Sequence, residues 1–159
     1  MKEPETGNIE TVIAGIDDID LLMQWRLTVL RDVFELPEDE DMTDLARENR
    51  DYYEREIPAG GHVALFAKAQ GRIVGCGAIC LYREMPSPDN PDGQCAYIMN
   101  VYTVPDWRGR GVGTAVVAGL LRETKSRGIK KVYLETSIQG QPLYEKFGFR
   151  EMEHYLMLE

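Results

Sequence analysis

The sequence predicts a single-domain α/β fold of the α+β type, in which helices flank a mixed, mainly antiparallel sheet. A chain of 159 residues is long enough for one domain with a proper core, and we expect that domain to span residues 1–159. The Gln70-Gly71 pair between two apolar segments predicts a β-hairpin. Residues 97–114, YIMNVYTVPDWRGRGVGT, predict a strand, a glycine-rich turn and a helix start. The strand–helix–strand unit built on them should be parallel and right-handed.

The N-terminal third predicts one strand followed by two helices. Residues 9–14, IETVIA, form a short strand, and Asp17 or Asp18 can cap a helix that continues to about Phe34. Apolar residues recur at helical spacing along this helix. A proline and an acidic run then interrupt the chain before a second helix over about 43–56. The apolar stripe of that helix is thin and its charge is high, so we expect it on the surface.

The rest of the chain predicts further strands and one long amphipathic helix. This helix follows the glycine-rich turn and ends before Gly128, a residue typical of the position just after a helix. The predicted elements are strands over 62–69, 72–82 and 97–104, a helix over 112–127, a strand over 131–136, a short helix over 141–147, and one or two closing strands over 149–158. The predicted order is therefore β-α-α-β-β-β-α-β-α-β.

The composition argues against several classes of function. The formal charge of −9, from 18 basic and 27 acidic residues, argues against non-specific nucleic acid binding and is compatible with a cationic acceptor such as an amine. The three cysteines contain no CxxC pair and the two histidines lack metal-ligand spacing, so we expect neither a disulfide nor a metal. The polar start, MKEPETGNIE, and the lack of a run of transmembrane length predict a cytoplasmic protein that does not bind membranes.

The turn at residues 108–114, RGRGVGT, is typical of an anion site. The first backbone N–H groups of a helix have no partner within it, and the helix dipole adds partial positive charge there. Glycines let a phosphate approach the backbone, and Arg108 and Arg110 add charge. A Rossmann fingerprint would need a third glycine where Thr114 stands, and a P-loop would need a lysine that the turn lacks.

The turn fits the pattern R-x-x-G-x-G, with Arg108, Gly111 and Gly113, and Pro105 stands before it. Residues 143–149, LYEKFGF, follow at about the expected distance. In these two blocks the chain resembles the GNAT superfamily of acyl-CoA-dependent N-acyltransferases. The blocks cover roughly the C-terminal third of the chain, and the order of the elements before them also fits.

The resemblance implies an acetyl-CoA-dependent N-acetyltransferase in which the two strands beside the cofactor splay apart. The central strand would pair its backbone with the pantetheine arm of coenzyme A through Val101, Tyr102, Thr103 and Val104. The turn would cradle the pyrophosphate through Arg108, Gly109, Arg110, Gly111, Val112, Gly113 and Thr114. Ser137 stands where many members have an asparagine that contacts the pantetheine, so this contact would pass through its hydroxyl or a water.

The resemblance also assigns the proton transfers. Tyr144 would be the general acid toward the thiolate of coenzyme A, or would stabilise that thiolate by a hydrogen bond. The second role is open because a phenol pKa of about 10 lies above a thiol pKa of about 8.5. Several members carry a carboxylate early in the central strand, where this chain has Tyr97. Glu135 on the next strand, or a water held by backbone carbonyls, is then the candidate base.

Residues of the first two helices, and of the strand faces that open on the gap, would bind the acceptor. The candidates are Trp25, Arg26, Tyr97 and Asn100, and Trp25 and Arg26 could instead be ordinary packing and surface residues. We expect the acceptor to be a primary amine of a small molecule, attacked directly in a ternary complex. A protein or peptide amine and a non-catalytic acyl-CoA-binding module remain as alternatives. An edge strand over 155–158 would offer one route to a homodimer.

Overall fold

A five-stranded sheet forms the centre of the structure, a computed structural model that describes residues 8–159. Its strands are β1 (Glu10–Ala14), β2 (His62–Ala69), β3 (Arg72–Arg83), β4 (Gln94–Thr103) and β5 (Lys131–Leu134). They lie side by side in chain order. Only β4 and β5 run parallel, and each other neighbouring pair is antiparallel. The predicted mixed, mainly antiparallel sheet is therefore confirmed.

Three long helices cover the two faces of this sheet. They are α1 (Ile19–Val33), α2 (Thr43–Ala59) and α3 (Val112–Ser126), and a short helix, α4 (Gln141–Glu145), follows β5. Alternate residues of a strand point to opposite faces of a sheet. Accordingly, Leu65 of β2 packs in the core beneath α3, whereas its neighbour Phe66 packs with α1 and α2. All four predicted helices are present.

Two glycines of β3 let α3 lie close to the sheet. A Cβ atom on Gly77 would lie 2.5 Å from Cγ1 of Val116, and one on Gly75 would lie 2.6 Å from Cγ1 of Val112. Such distances are far below van der Waals contact, so a side chain at either position would push the helix outward. This close packing fixes the N-terminus of α3 beside the end of β4.

The central strand β4 departs from regular pairing near Asn100. Its register with β3 shifts between Cys76 and Ala78, which is the signature of a β-bulge. Asn100 has a φ of 59°, an uncommon value for a residue other than glycine. On its other side, β4 pairs with β5 only as far as Ile98. Beyond that residue the two strands are no longer paired, which is the separation that the resemblance implies.

The prediction of one or two closing strands over residues 149–158 is wrong. Among the described residues, β5 is the last strand, and the chain after α4 forms no helix or strand. A strand requires hydrogen bonds to a neighbour, and this segment pairs with none of the five strands. Its apolar residues are instead exposed, at 60, 98, 79 and 98% for Tyr155, Leu156, Met157 and Leu158.

Four element boundaries also differ from the prediction, and one of them is the end of α4, which lies at Glu145 rather than at residue 147. β4 begins earlier, at Gln94, because its first residues pair with the end of β3. α2 continues through Pro58 and ends where Gly60 adopts a left-handed φ of 77°. β5 ends earlier, at Leu134, where its pairing with β4 stops.

Neither a metal-binding group nor a membrane-spanning helix is present in the described part of the chain. No three His, Cys, Asp or Glu side chains among residues 8–159 are grouped so that they could hold a metal ion. No helix in that range is both long and apolar enough to cross a bilayer. The prediction that the N-terminus is not a signal peptide concerns MKEPETGNIE, whose first seven residues lie outside the described residues.

Candidate active site

The separation of β4 and β5 opens a cleft of about 1000 Å³, called the large cleft below. Its lining combines the free edge of β4, the glycine turn before α3, the loop after β5 and part of α4. Residues from the second half of α1 line it as well. Three stretches that are distant in the sequence, within residues 26–34, 97–114 and 135–146, thus meet in one cavity. Its volume is at the upper end of the range of about 300–1,000 Å³ that is usual for ligand sites.

The glycine turn presents backbone N–H groups at one end of the large cleft. Gly109 and Gly111 have φ values of 74° and 84°, and a Cβ atom on either would meet nothing within 4 Å. The amide of Ala115 donates to the carbonyl oxygen of Gly111 at 3.0 Å. Three earlier amides have no backbone acceptor among the described residues: those of Val112, Gly113 and Thr114. Free amides, a helix N-terminus and open space suit a phosphate group.

The two arginines of the turn are already engaged with other groups. Arg108 donates from Nε to the carbonyl oxygen of Thr103 and from Nη2 to Oδ2 of Asp32, both at 3.1 Å. The guanidinium of Arg110 lies 5.0 Å from the ring centroid of Trp107, and Arg110 does not line the large cleft. The groups best placed for an anion are therefore backbone amides, and the charge of Arg108 is shared with a carboxylate.

The free edge of β4 lines the large cleft beyond its last pair with β5. Three of the four residues predicted to contact the pantetheine lie there: Val101, Tyr102 and Thr103. Val104 does not line the cleft, and its N–H donates to the carbonyl oxygen of Val74 at 3.0 Å. In an antiparallel ladder, alternate backbone groups point away from the partner strand. This edge can therefore accept an extended ligand as an additional strand.

Tyr144 of α4 lines the same cleft. Its side chain is 9% exposed, and its ring packs edge-on against Phe149 with the centroids 5.9 Å apart. Burial raises the pKa of the phenol above its ordinary value. Complete proton transfer from the hydroxyl is therefore less favourable than for a free phenol, whereas hydrogen-bond donation does not require the phenol to ionise.

The loop after β5 brings two further predicted residues to the large cleft. Glu135 is exposed and lines the cleft together with Tyr97 of β4. Burial, and less strongly the carboxylate of Glu135, raises the pKa of Tyr97. Oγ of Ser137 accepts a hydrogen bond from the N–H of Gly140 at 3.2 Å, which shapes the turn into α4. The hydroxyl proton of Ser137 is then left to act as a donor to a ligand.

A second cavity of about 270 Å³, called the small cavity below, is lined by residues of α1, α2, β2, β3 and β4. Three residues line both cavities and so form a common wall: Arg26, Met99 and Asn100. The bulge of β4 lies in this wall. A reaction between ligands that enter from the two sides would take place near it.

The four residues predicted to bind the acceptor do not all lie in the same cavity. Arg26 and Asn100 are in the common wall. Tyr97 lines the large cleft but not the small cavity. Trp25 lines neither cavity, because its ring packs against Phe66 with the centroids 5.9 Å apart. The packing role considered for Trp25 is the one that its contacts support.

A buried hydrogen-bonded group lies at the small cavity. The hydroxyl of Tyr52 lies 2.9 Å from Nδ1 of His62 and 3.2 Å from Sγ of Cys80. Burial, followed by the positive charge of Arg26, lowers the pKa of His62 to about 4. The imidazole is therefore neutral at neutral pH. Its Nε2 atom is buried and has no hydrogen-bond partner among the described residues.

The sequence did not predict most of the small cavity. The residues that it missed are Glu48, Asn49, Tyr52, Tyr53, His62, Cys80 and Met99. One available signal was the spacing of Asn49, Tyr52 and Tyr53, which places them on one face of α2. Nothing in the sequence connects that face with His62 or Cys80, because those residues come to it only when the sheet forms.

Comparison with known proteins identifies a family and a curated relative. Residues 26–149 match the acetyltransferase (GNAT) family. The chain is 34% identical over 89 residues to a glucosamine 6-phosphate N-acetyltransferase of Trypanosoma brucei brucei. That match covers 56% of this chain and 58% of the relative, so the chain spans less than two thirds of the relative's length.

Two solved structures share the fold over almost the whole chain. One is a predicted acetyltransferase from Clostridium acetobutylicum with acetyl-CoA, at a TM-score of 0.83 and 30% identity, covering 96% of both chains. The other is an acetyltransferase of Trypanosoma brucei, at a TM-score of 0.68 and 26% identity, covering 96% of this chain and 99% of that one. The arrangement of helices and strands described above is thus that of known acetyltransferases.

Proposed function

This chain belongs to the acetyltransferase (GNAT) family, and we propose that it transfers the acetyl group of acetyl-CoA to a primary amine of a small molecule. One observation carries the proposal. The large cleft joins free helix-terminal amides, a free strand edge and a buried tyrosine in a single cavity. Acetyl-CoA has a matching group for each of them, namely a pyrophosphate, an extended amide-containing arm and a thioester.

In this proposal the pyrophosphate lies at the N-terminus of α3. The amides of Val112, Gly113 and Thr114 would donate to it, and the open space at Gly109 and Gly111 would admit it. The pantetheine arm would pair with the free edge of β4 at residues 101–103. Ser137 would border the arm on the side of α4.

The reaction forms one bond and breaks another. The nitrogen lone pair of a neutral amine attacks the carbonyl carbon of the thioester, a C–N bond forms, and the C–S bond breaks. The nitrogen loses one proton, and the sulfur leaves as a thiolate that afterwards takes a proton from water, so the protons balance without a covalent bond to the protein. The main contribution of the chain is to hold both substrates together, an effect that can lower a barrier by about 7–11 kcal/mol.

Two side chains would handle the protons. Tyr144 would donate a hydrogen bond to the sulfur as it becomes a thiolate, a role that its raised pKa favours over complete transfer. Glu135, exposed at the same cleft, would take the proton from the amine directly or through a water. Tyr97, which replaces the carboxylate of other members, would line the cleft without acting as the base.

The small cavity favours a small-molecule acceptor. Its volume of about 270 Å³ suits a compact ligand, whereas a peptide would need an extended open groove. The curated relative named above is a glucosamine 6-phosphate N-acetyltransferase, which agrees with a compact amine. A protein amine and a non-catalytic acyl-CoA-binding module remain the alternatives that the experiment must separate.

The test is acetyl-CoA consumption, measured as release of free thiol across a panel of amines. The panel contains amino sugars, amino acids, polyamines, aminoglycosides and short peptides. We expect thiol release that depends on one class of small amine and is lost in Gly111→Asp. Release with peptides only would favour the protein acceptor. Tight coenzyme A binding without release would favour the binding module, and no coenzyme A binding at all would contradict the proposal.

We further propose that two copies of the chain associate through the exposed apolar tail at residues 155–158. Among the described residues the outer edge of β5 is unpaired, and Tyr155 lines a cavity together with residues of this strand. An exposed apolar segment near a free strand edge favours association between chains. Sedimentation should give a dimer whose dissociation constant rises when Leu156→Ser and Leu158→Ser are combined. An unchanged monomer in both proteins would contradict this.

A further inference from the structure

We propose that the acceptor amine also carries an anionic group, a carboxylate or a phosphate, and that Arg26 binds this group in the wall between the large cleft and the small cavity. The inference rests on the proposed function, because it names the class of acceptor. It depends on four observations: the hydrogen bonds of Arg26, the lack of a carboxylate within ion-pair distance of it, the rigidity of its partners, and the largely neutral lining of the small cavity.

Arg26 is held in place by two amide side chains. It is half-buried on α1, and its Nε donates to Oδ1 of Asn49 on α2 at 2.9 Å. Its Nη1 donates to Oδ1 of Asn100 in the bulge of β4, also at 2.9 Å. A guanidinium has five N–H donors. Three of them are therefore left for a ligand, including both on Nη2.

The charge of Arg26 is not matched by a carboxylate. Among the described residues, no carboxylate oxygen lies within 4.0 Å of its guanidinium. More exposed arginines do have such partners, as Arg50 has Asp20 at 2.7 Å and Arg108 has Asp32 at 3.1 Å. A partly buried charge with only neutral partners is costly unless an ion of opposite sign joins it.

The partners of Arg26 are fixed before any ligand arrives. Nδ2 of Asn49 donates to the carbonyl oxygen of Leu45 at 2.8 Å, which orients its oxygen toward the arginine. Asn100 is constrained by the backbone of the bulge, where its φ is 59°. A guanidinium held at two points loses little further freedom when it binds an anion in a bidentate manner.

The rest of the small cavity places little negative charge beside Arg26. His62 is 6% exposed, and burial lowers the pKa of its imidazole to about 4, so the ring is neutral at neutral pH. Glu48 supplies the one carboxylate in the lining of the small cavity, and its side chain is exposed. An anionic group of the acceptor would therefore meet little repulsion beside Arg26.

The experiment compares amines that differ only in the anionic group. One pair is an amino sugar and its 6-phosphate, and the other is an amino acid and its carboxamide. Values of kcat/KM are calculated on the concentration of neutral amine, which removes differences in amine pKa. We expect at least one anionic member to be preferred by about ten-fold or more, the usual size of a hydrogen bond to a charged group. The preferred pair identifies the anion as phosphate or carboxylate.

Variants then assign the preference to one side chain. In Arg26→Gln the ratio within the preferred pair should fall to about one, and in Arg26→Lys part of it should remain because the charge is kept but the bidentate geometry is lost. The matched control is Arg47→Gln, an arginine of α2 that lines neither cavity and pairs with Asp44 at the surface. It should keep the preference. Equal activity on both members in the wild type, or a preference that survives in Arg26→Gln, would overturn the inference.

A binding measurement separates this inference from the proposed function. Glucose 6-phosphate and glycolate cannot be acetylated on nitrogen, and their binding is measured by calorimetry against glucose and glycolamide. Binding of an anionic probe that is lost in Arg26→Gln supports the anion site even if no amine is acetylated, a result that would contradict the proposed function alone. Acetylation of amines without any anion preference would contradict the anion site alone.

Discussion

The large cleft and the small cavity share a wall but are built from different parts of the chain. One end of the large cleft, the proposed anion end, presents the backbone amides of one contiguous turn, residues 108–114, whose arginines are engaged elsewhere. The small cavity consists of side chains from five separate elements, with Arg26, Tyr52 and His62 among them. One region depends on a backbone conformation and the other depends on the identity of each side chain.

Under the proposed function, this difference would let one fold serve a fixed cofactor and a variable acceptor. Any sequence that adopts the glycine turn supplies the same amides, so the proposed cofactor end would tolerate many substitutions outside the glycines. A single change in the small cavity alters its shape, its charge or its hydrogen bonds. Specificity toward the proposed acceptor would therefore lie in side chains, and it would differ between proteins that share the fold.

The largest effect on coenzyme A binding should come from adding a side chain to the glycine turn, whose proposed binding groups are backbone amides. Gly111→Asp places a carboxylate where the anion would lie and strains a φ of 84°. Loss of two charge-assisted hydrogen bonds, each about 1.5–3 kcal/mol, should weaken coenzyme A binding about 1000-fold in calorimetry. Gly128→Asp is the control, since it has a similar φ of 69° and open surroundings at the other end of α3. It should lose stability but keep binding, and equal losses of binding would remove the turn from the site.

The second largest effect should be the pH dependence of the free energy of unfolding that His62, a neutral side chain of the small cavity, causes. The pKa of His62 is lowered to about 4 in the folded protein, against about 6.5 when unfolded. The unfolded state therefore binds more protons between these values, and the free energy of unfolding should fall by about 3 kcal/mol as the pH drops from 6.5 to 4. His62→Gln should lack this part of the pH dependence in urea titrations, and the exposed His154→Gln should keep it. Identical pH profiles for the wild type and His62→Gln would contradict the burial argument.

A smaller effect concerns the chemistry at the junction of the two regions. Tyr144→Phe removes the hydroxyl but keeps the ring packing against Phe149. We expect kcat to fall about ten-fold, with coenzyme A affinity changed by less than about three-fold, because the lost hydrogen bond forms mainly as the thiolate develops. Tyr155→Phe, at an exposed tyrosine of the tail, should leave both quantities unchanged. Unchanged turnover in Tyr144→Phe would remove its proposed role.

The smallest effect on coenzyme A binding should come from changing Arg108, the arginine of the R-x-x-G-x-G pattern. The side chain of Arg108 is about half exposed, and a contact between such a solvent-screened guanidinium and a phosphate would contribute about 0–1 kcal/mol, as exposed ion pairs do. Arg108→Gln should therefore weaken coenzyme A binding by about five-fold at most. Asp32→Asn should strengthen it slightly by releasing the guanidinium. A loss in Arg108→Gln as large as that in Gly111→Asp would show that the anion end depends on a side chain after all.

Prediction of the fold from the sequence succeeded where local signals were strong. The strand β2 has its predicted limits, since a tight turn and apolar residues define both ends, and α3 starts where the glycine turn ends. The prediction failed for residues 149–158, where apolar composition suggested strands. Whether an apolar segment forms a strand depends on a partner edge, and no local pattern contains that information.

The sequence by itself determined the family, the order of all elements except the closing strands, and the glycine turn, because each is encoded in contiguous residues and in backbone preferences. Only the tertiary structure placed Arg26 between Asn49 and Asn100, joined Tyr52 to His62 and Cys80, and engaged Arg108 with Asp32. These contacts join residues far apart in the chain. They form only when helices α1 and α2 pack on the sheet, and that packing decides which side chains line the small cavity.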